Sequence, residues 1–284
     1  MFRDLSFGQY YPANSAVHRL DARAKLLFTI VFIVCIFFVE TYFSYLVVAL
    51  FLVAVVLIAR LPALSVLKSV KAVLFIVVFT AVLNLFFVRE GRVLFQVQIA
   101  PWWLMRVTES GVHTSAKLAL RLILLIVGTS LLSFTTTPMA LTDAMESLMR
   151  PLKLIRFPVH DIAVIMSIAL RFIPTLLDET NKIINAQKAR GAAFDTGGLI
   201  ARAKAMLPIL IPLFVSAFRR ADELAFALDA RCYNATSKRT KMNIPHLGLN
   251  DLVGALFLLS FMTVIFLDRY FFLGLDRIIF GLVY

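Results

Sequence analysis

Long unbroken runs of apolar residues dominate this sequence, in place of the one-sided stripe of a surface helix or the alternation of a strand. A helix needs about 20 largely apolar residues to cross the core of a bilayer. Each run, extended where necessary by its flanking turn, therefore predicts one membrane-spanning helix, and the whole pattern predicts an all-α, polytopic membrane protein. The five predicted spans are residues 22–39, 42–59, 72–88, 115–134 and 252–267.

The polar segments between these runs set the predicted topology. Residues 89–111 contain Trp102 and Trp103, which suit a membrane interface, and we place this segment outside. Lys117 and Arg121 lie in the first turns of the fourth span. Two interpretations stay open for these charges: they snorkel to the outer interface, or they serve as functional pore charges.

Residues 135–250 differ in character, because charged and apolar positions alternate there with a helical period. The segment holds fifteen Lys and Arg residues against nine Asp and Glu residues, an excess typical of the cytoplasmic side. Thr137 and Pro138 form a helix-start signal. Its two most apolar stretches, 162–177 and 206–218, are interrupted by an arginine or by prolines, and we expect them to pack beneath or partly within the bilayer.

The chain thus divides into three predicted regions. The N-terminus and the large helical insert are expected in the cytoplasm, and the C-terminus outside. The regions are residues 1–134 with four transmembrane helices, residues 135–250 as the cytoplasmic domain, and residues 251–284 with the last transmembrane helix.

Composition supports a membrane protein and argues against other classes. Hydrophobic residues make up 61% of the chain, which includes 26 Phe, and this exceeds the usual share in a soluble domain. A net charge of +12 would suit nucleic-acid binding. Here the basic residues lie between apolar runs, where the positive-inside rule explains them, so we expect no nucleic-acid partner. Cys35 and Cys232 offer neither a disulfide framework nor a metal-ligand spacing.

The sequence carries no recognisable catalytic or metal-binding pattern. It has no G-x-x-x-x-G-K-[ST] phosphate loop, so we do not expect this chain to hydrolyse ATP by itself. It has no H-E-x-x-H, and its four histidines are scattered. Adjacent acids such as Asp178 and Glu179 point about 100° apart on a helix and do not form a carboxylate pair. We expect a non-catalytic chain without a metal or cofactor of its own.

Two short arginine motifs stand out in the cytoplasmic segment: Ala189-Arg190-Gly191 and Ala230-Arg231-Cys232. Each follows a helical pattern and places an arginine between small residues. Simple capping is one explanation, since a helix C-terminus carries a partial negative charge that favours a cation. The repetition favours another explanation, because small neighbours leave room for a partner and arginine forms forked hydrogen bonds with carboxylates or carbonyls. We predict two similar docking points for two similar partners.

Further motifs extend over nearly the whole chain: Gly8-Gln9-Tyr10, His18-Arg19-Leu20-Asp21-Ala22-Arg23-Ala24-Lys25-Leu26, Thr136-Thr137-Pro138, Ala169-Leu170-Arg171-Phe172-Ile173-Pro174-Thr175 and Gln187-Lys188-Ala189-Arg190-Gly191. With them, the sequence resembles the transmembrane (T) component of energy-coupling-factor (ECF) transporters, the EcfT/CbiQ family. The resemblance implies a cell-membrane protein that assembles with two ABC-type ATPases, which bind ATP and Mg²⁺. It also implies a substrate-binding membrane S component and the uptake of vitamins or transition-metal ions.

The resemblance assigns a role to the arginine motifs. It implies that residues 135–250 form a coupling domain in which Arg190 and Arg231 end two coupling helices, each docking into a groove on one ATPase. Cys232 departs from the family, which often has glycine at that position.

The methionines and the overall function each have an alternative interpretation. Met139, Met145 and Met149 are candidates for the S-component interface because Met packs against varied shapes, and an internal core is the equal alternative. The alternative function is a self-contained secondary transporter, which predicts substrate-facing charges within the spans or inverted repeats. Only Lys117 and Arg121 offer such charges. A membrane enzyme ranks third.

Overall fold

Helices form nearly all of the regular structure. The computed structural model describes residues 10–88, 92–100, 103–155, 157–192, 198–233, 248–268 and 270. This confirms the prediction of an all-α, polytopic membrane protein. In chain order the elements are α1 (Ala22–Phe37), α2 (Tyr42–Ile58), α3 (Ala63–Phe87), β1 (Val93–Ala100), β2 (Trp103–Thr108), α4 (Glu109–Thr135), α5 (Pro138–Leu148), a 3₁₀ helix (Arg150–Ile155), α6 (Val159–Ala189), α7 (Leu199–Ala230) and α8 (Leu249–Leu267).

The chain forms two compact units. The membrane unit comprises the described residues within 8–148 and 246–284, and the helix-pair unit comprises those within 149–245. The predicted insert, residues 135–250, includes α5. This helix packs on α1, and both belong to the membrane unit. The domain boundary near residue 135 stays a prediction.

Four of the described helices are long and apolar enough to cross a membrane: α3, α4, α6 and α8. Three of them coincide with predicted spans. The other two predicted spans are shorter helices, of 16 residues in α1 and 17 in α2, or about 25 Å at 1.5 Å per residue. Helix α6 runs for 31 residues, and its length and apolarity qualify it as a fourth candidate.

The core of the membrane unit lies where α1, α2, α4 and α8 meet. Phe32, Ile36, Val48 and Phe261 are among its buried side chains. Gly128 of α4 leaves room for the Phe32 ring, because a Cβ at residue 128 would lie 2.2 Å from a ring carbon. The lack of a side chain at one residue therefore sets how closely α1 and α4 approach.

Phenylalanine rings join α8 to its neighbours. The ring of Phe51 in α2 stacks on Phe261 at 4.1 Å and on Phe257 at 5.0 Å between centroids. Phe32 of α1 stacks on Phe261 at 6.5 Å. Stacked rings add to the stabilisation from buried apolar area. The stacked rings of Phe32, Phe51, Phe257 and Phe261 therefore form a phenylalanine seam within the bundle.

Short polar side chains cap the starts of several helices of the membrane unit. Asp21 accepts a hydrogen bond from the Arg23 backbone N–H and caps α1, as its sequence position suggests. Thr41 and Thr108 cap α2 and α4 in the same manner. Asp251 does more: one carboxylate oxygen accepts the N–H of Gly248 and the other accepts the N–H of Asp21. A single carboxylate therefore ties the starts of α1 and α8 together.

The N-terminal motif folds against the same end of the bundle. The His18 ring contacts the Ser15 hydroxyl at 2.7 Å and the Tyr11 carbonyl at 3.0 Å. Because a carbonyl only accepts, Nε2 carries the proton and Nδ1 accepts from Ser15. Burial lowers the pKa of His18 below its ordinary value of 6.5, which favours this neutral form. The motif thus fastens the segment before α1.

The two charges of α4 engage the turn between α1 and α2. Arg121 donates to the Val39 carbonyl at 2.8 Å, and the Lys117 ammonium lies 5.1 Å from the centroid of the Tyr42 ring. Asp268 accepts hydrogen bonds from Thr41 and from Ser44 in the same region. These contacts support the interfacial interpretation of Lys117 and Arg121 over that of pore charges.

A β-hairpin follows α3, where the sequence analysis predicted only an outer polar segment. Strands β1 and β2 pair antiparallel, with Gln96 opposite Arg106 and with irregularities near both ends of β1. The signal was available, because Phe95, Val97 and Ile99 alternate with glutamines. Period-two alternation predicts a strand.

Candidate docking site at two helix ends

The predicted arginine motifs belong to the helix-pair unit, in which α6 and α7 run antiparallel. Glu179 of α6 forms a 2.6 Å ion pair with Arg220 of α7. Nearer the end of α6, the Gln187 side chain reaches the Pro208 carbonyl at 3.4 Å. Ile168 near the other end lines a groove together with Leu228. Residues of increasing number along α6 therefore contact residues of decreasing number along α7, as expected for antiparallel helices.

The first motif ends α6 in a Schellman motif. Ala189 is the last helical residue and Arg190 is the C-cap. The N–H of Gly191 bonds to the Lys188 carbonyl and the N–H of Ala192 bonds to the Gln187 carbonyl, both at 3.0 Å. These are the two bonds that define the motif. Gly191 has φ of +87°, a conformation that glycine adopts without a steric cost.

The second motif ends α7 in the same way. Ala230 is the last helical residue and Arg231 is the C-cap. The N–H of Cys232 bonds to the Asp229 carbonyl and the N–H of Tyr233 bonds to the Leu228 carbonyl, both at 2.9 Å. Cys232 takes the place of Gly191, with φ of +53°. The departure from glycine therefore leaves the helix-end geometry unchanged but puts a side chain in the left-handed region.

Both arginines extend into solvent. Ala189, Arg190, Ala230 and Arg231 are all exposed. Among the described residues, no hydrogen bond or ion pair engages either guanidinium group, and backbone N–H groups satisfy the last helical carbonyls. Capping alone therefore does not require these side chains. Each guanidinium keeps its full set of donors for another molecule.

The two arginines lie at opposite ends of the antiparallel pair. Extending the Glu179–Arg220 pairing places Arg231 beside α6 near Ile168. The distance to Arg190 is then about 22 helical residues, or about 33 Å along α6. One small binding pocket could not hold both groups. The arrangement offers two separate docking points.

Gln187 has a role that the sequence analysis did not identify. Pro212 has no backbone N–H, so it cannot pair with the carbonyl four residues earlier, which belongs to Pro208. The Gln187 side chain donates to this carbonyl. The sequence feature that indicates this role is the four-residue spacing of Pro208 and Pro212 in α7, which leaves one carbonyl inside the helix without a backbone donor.

The methionine candidates lie around α5. Met139 and Met145 are 43% and 49% exposed, which removes them from the core of this chain. Met149 is half-buried and follows the last residue of the helix. Met139 and Met145 are six residues apart, which separates them by about 120° around a helix. The exposure leaves them open to a partner, and the S-component interface stays a prediction.

Apolar residues of α7 also face outward. Leu207, Ile211, Phe214 and Phe218 are 52–69% exposed and recur every three or four residues. Such a stripe is typical of a helix face that packs against another surface. The described residues hold no group of three or more His, Cys, Asp or Glu side chains placed to bind a metal ion.

Comparison with known proteins gives consistent similarities. The family model for cobalt transport protein (CbiQ) matches residues 13–242. The energy-coupling factor transporter transmembrane protein EcfT of Ruminiclostridium cellulolyticum is 48% identical over 96% of this chain and 100% of its own length. The proteins of that name from Bacillus subtilis and Staphylococcus aureus are 43% and 38% identical, over 85% and 95% of this chain and 89% and 99% of their own lengths.

Proposed function

The chain belongs to the EcfT/CbiQ family of ECF transporter transmembrane proteins, and we propose that it couples ATP hydrolysis by two partner ATPases to movement of a substrate-binding S component. The chain itself binds neither ATP nor Mg²⁺ under this proposal, since both belong to the ATPases. The substrate is a micronutrient, a vitamin or a transition-metal ion, and the S component selects it.

The observation that carries the proposal is the pair of matching helix ends. Arg190 and Arg231 occupy the same C-cap position, both are exposed, and both lack an internal partner among the described residues. Their separation of about 33 Å along the helix pair fits two docking points on two similar subunits. Each guanidinium would enter a groove on one ATPase and bond to carboxylate or carbonyl oxygens.

Rigid helices then transmit the movement. When the ATPases close on ATP, the docked ends are displaced, and α6 and α7 move with them. The Glu179–Arg220 ion pair and the Gln187–Pro208 contact link the two helices, so the displacement of one is shared by the other. Met139, Met145 and Met149 are the proposed contacts to the S component, and exposed apolar side chains suit an adaptable surface. The N-terminus and the helix-pair unit are on the cytoplasmic side in this proposal.

The secondary-transporter alternative receives no support from the site. Its candidate charges, Lys117 and Arg121, contact Tyr42 and the Val39 carbonyl. A secondary transporter would move substrate on an ion gradient when reconstituted alone, and a coupling subunit would not.

Removal of the arginines tests the proposal. The loss of one partner from a buried charge pair commonly costs about 2–5 kcal/mol. We expect Arg190→Ala or Arg231→Ala to weaken ATPase binding at least about tenfold, and the double variant to lose coupled uptake. Copurification of the ATPases and vesicle uptake of a substrate are the measurements. Arg219→Ala is the matched control, because Arg219 is also an exposed arginine of α7.

A further pair separates charge from geometry. Lysine keeps the charge but not the forked donor set, so Arg190→Lys should restore ATPase binding only in part. Normal assembly and uptake by the double alanine variant would overturn the docking assignment. A loss in Arg219→Ala as large as in the motif variants would overturn it as well.

A further inference from the structure

The membrane unit contains a groove that the proposed coupling function does not use. Helices α1, α2, α4 and α8 surround a cavity of about 320 Å³ that is open on one side. Phe28, Phe32, Phe51 and Phe257 form much of its wall. For comparison, a cavity of about 150 Å³ holds benzene. The space is sufficient for a larger apolar group.

The groove is elongated along the helices. Its lining residues on α8 run from Asn250 to Leu258, which is about 12 Å of helix. One leaflet of the bilayer contributes about 15 Å of hydrocarbon. The groove therefore has nearly the depth of one leaflet, and the helices that form it belong to the membrane unit.

The polar residues of the lining gather at one end. Lys25 lies in the first turn of α1, Thr135 is the last residue of α4, and Asn250 lies in the first turn of α8. The remainder of the wall is apolar apart from Thr29, one turn further along α1. The groove thus has a hydrocarbon body and a polar mouth.

At the mouth, the ammonium group of Lys25 has one N–H donor left over within the described part of the chain. Lys25 is 7% exposed, and its ammonium donates to the carbonyls of His18 and Thr135 at 3.1 and 2.8 Å. An ammonium has three N–H donors, so one remains. The N-terminal motif around it contains Arg19, Arg23 and Lys25 against Asp21, and Asp251 at the start of α8 bonds to the Asp21 backbone N–H. An excess of positive charge favours an anionic group.

We propose that this groove binds one acyl chain of an anionic phospholipid, with the headgroup phosphate at the mouth beside Lys25 and Asn250. Basic pockets between membrane helices on the cytoplasmic side bind anionic headgroups, and the start of α1 is predicted to lie on that side. The bilayer supplies the ligand directly through the open side. The bound lipid joins α8 to α1, α2 and α4 beyond the phenylalanine seam.

Photocrosslinking in nanodiscs tests the site on the full chain. The probe is phosphatidylglycerol with a diazirine on one acyl chain, diluted into phosphatidylcholine, and the control probe is the matching phosphatidylcholine. We expect the anionic probe to label lining peptides of α4 and α8 in preference to the outer faces of the helices. Val253→Trp fills the groove and should lower this labelling by about tenfold. Leu252→Trp is the matched control, because Leu252 is equally exposed at 61% but does not line the groove.

A second pair of variants tests the headgroup without filling the cavity. Asn250→Glu puts a negative charge at the mouth, and an acid in the first turn also suits the start of α8. We expect it to lower labelling by the anionic probe several-fold and to leave phosphatidylcholine labelling unchanged, whereas Asn250→Gln should change neither. Uniform labelling of all lipid-facing helices, unaffected by Val253→Trp, would overturn the proposal. Equal labelling of the groove by the anionic and the phosphatidylcholine probes, unchanged in Asn250→Glu, would overturn the assignment of an anionic headgroup.

Discussion

Gly191 and Cys232 hold equivalent positions in two copies of one helix ending, but only one of them is glycine. A left-handed conformation costs a residue with a Cβ roughly 1–2 kcal/mol. Cys232, at φ of +53°, bears this cost, whereas Gly191 at +87° does not. The two residues therefore allow substitutions that should act in opposite directions.

We predict that Cys232→Gly raises the free energy of unfolding of the helix-pair unit by about 1 kcal/mol, and that Gly191→Ala lowers it by about the same amount. An added Cβ at Gly191 has no neighbour within 4 Å, so the backbone conformation alone is tested. Thermal unfolding of the purified protein is the measurement. Cys232→Ser keeps the Cβ and should change little. A stabilising effect of Cys232→Ser equal to that of Cys232→Gly would contradict this explanation.

At the scale of single residues, part of the site was predictable. A glycine after a helical run signals a helix end, and a small residue after each arginine marked both motifs. Cysteine is not a signal of left-handed backbone, so the second helix ending could not be predicted with the geometry it has. The Gln187 contact was hidden because it depends on a carbonyl in another helix, at Pro208.

At the scale of elements, the contact between α1 and α4 depends on a missing side chain. Gly128→Ala would place a Cβ 2.2 Å from the Phe32 ring. We predict a loss of about 1–3 kcal/mol, because the ring would have to leave its stacked position on Phe261 and shift towards the groove. Thermal stability in detergent or nanodiscs measures it. Phe32→Leu in the same chain should restore part of the loss by giving the new methyl group room.

Gly198→Ala is the control for an added Cβ that meets nothing within 4 Å, and its expected cost is only that of replacing a glycine N-cap of α7. If Gly128→Ala unfolds at the same temperature as the unchanged protein, the close approach of α1 and α4 is not as tight as described.

The type of each element, helix or strand, was predictable from the sequence where the period of the hydrophobic pattern was clear. The long apolar runs of the predicted spans specify helices in a bilayer, because a helix satisfies its own backbone there. The hairpin of β1 and β2 was missed because its alternation lies within a short polar segment, between two strong helical signals. The start of α5 matched its Thr137 cap, whose hydroxyl accepts the Ala140 N–H at 3.3 Å.

At the scale of the whole molecule, the two cysteines provide a test of topology. Cys232 is exposed, and Cys35 is buried at 4% exposure. We predict that a membrane-impermeant maleimide labels the chain once, at Cys232, in inside-out vesicles and not in right-side-out vesicles. Mass spectrometry of the labelled peptide is the measurement, and Cys232→Ser removes the signal. Labelling from the outer side would contradict the cytoplasmic placement of α7's end.

Whole-molecule features were the hardest to derive from sequence. Hydropathy indicates which segments can cross a bilayer, but α1 and α2 are slightly shorter than the predicted spans 22–39 and 42–59, and α6, which was not predicted as a span, is long and apolar enough to cross. Length and apolarity do not distinguish a long coupling helix from a span. The apolar groove of the membrane unit arises where α4 and α8 pack against α1 and α2, which are far from them in sequence, so no local pattern predicts it.

The bond from Gln187 to the Pro208 carbonyl has a mechanical consequence. This carbonyl lacks a partner within α7 because Pro212 has no N–H to offer. Releasing Gln187 therefore breaks no turn of α7, and water can replace the amide at once. The contact can therefore break and re-form without unwinding α7, while the Glu179–Arg220 ion pair keeps the two helices linked.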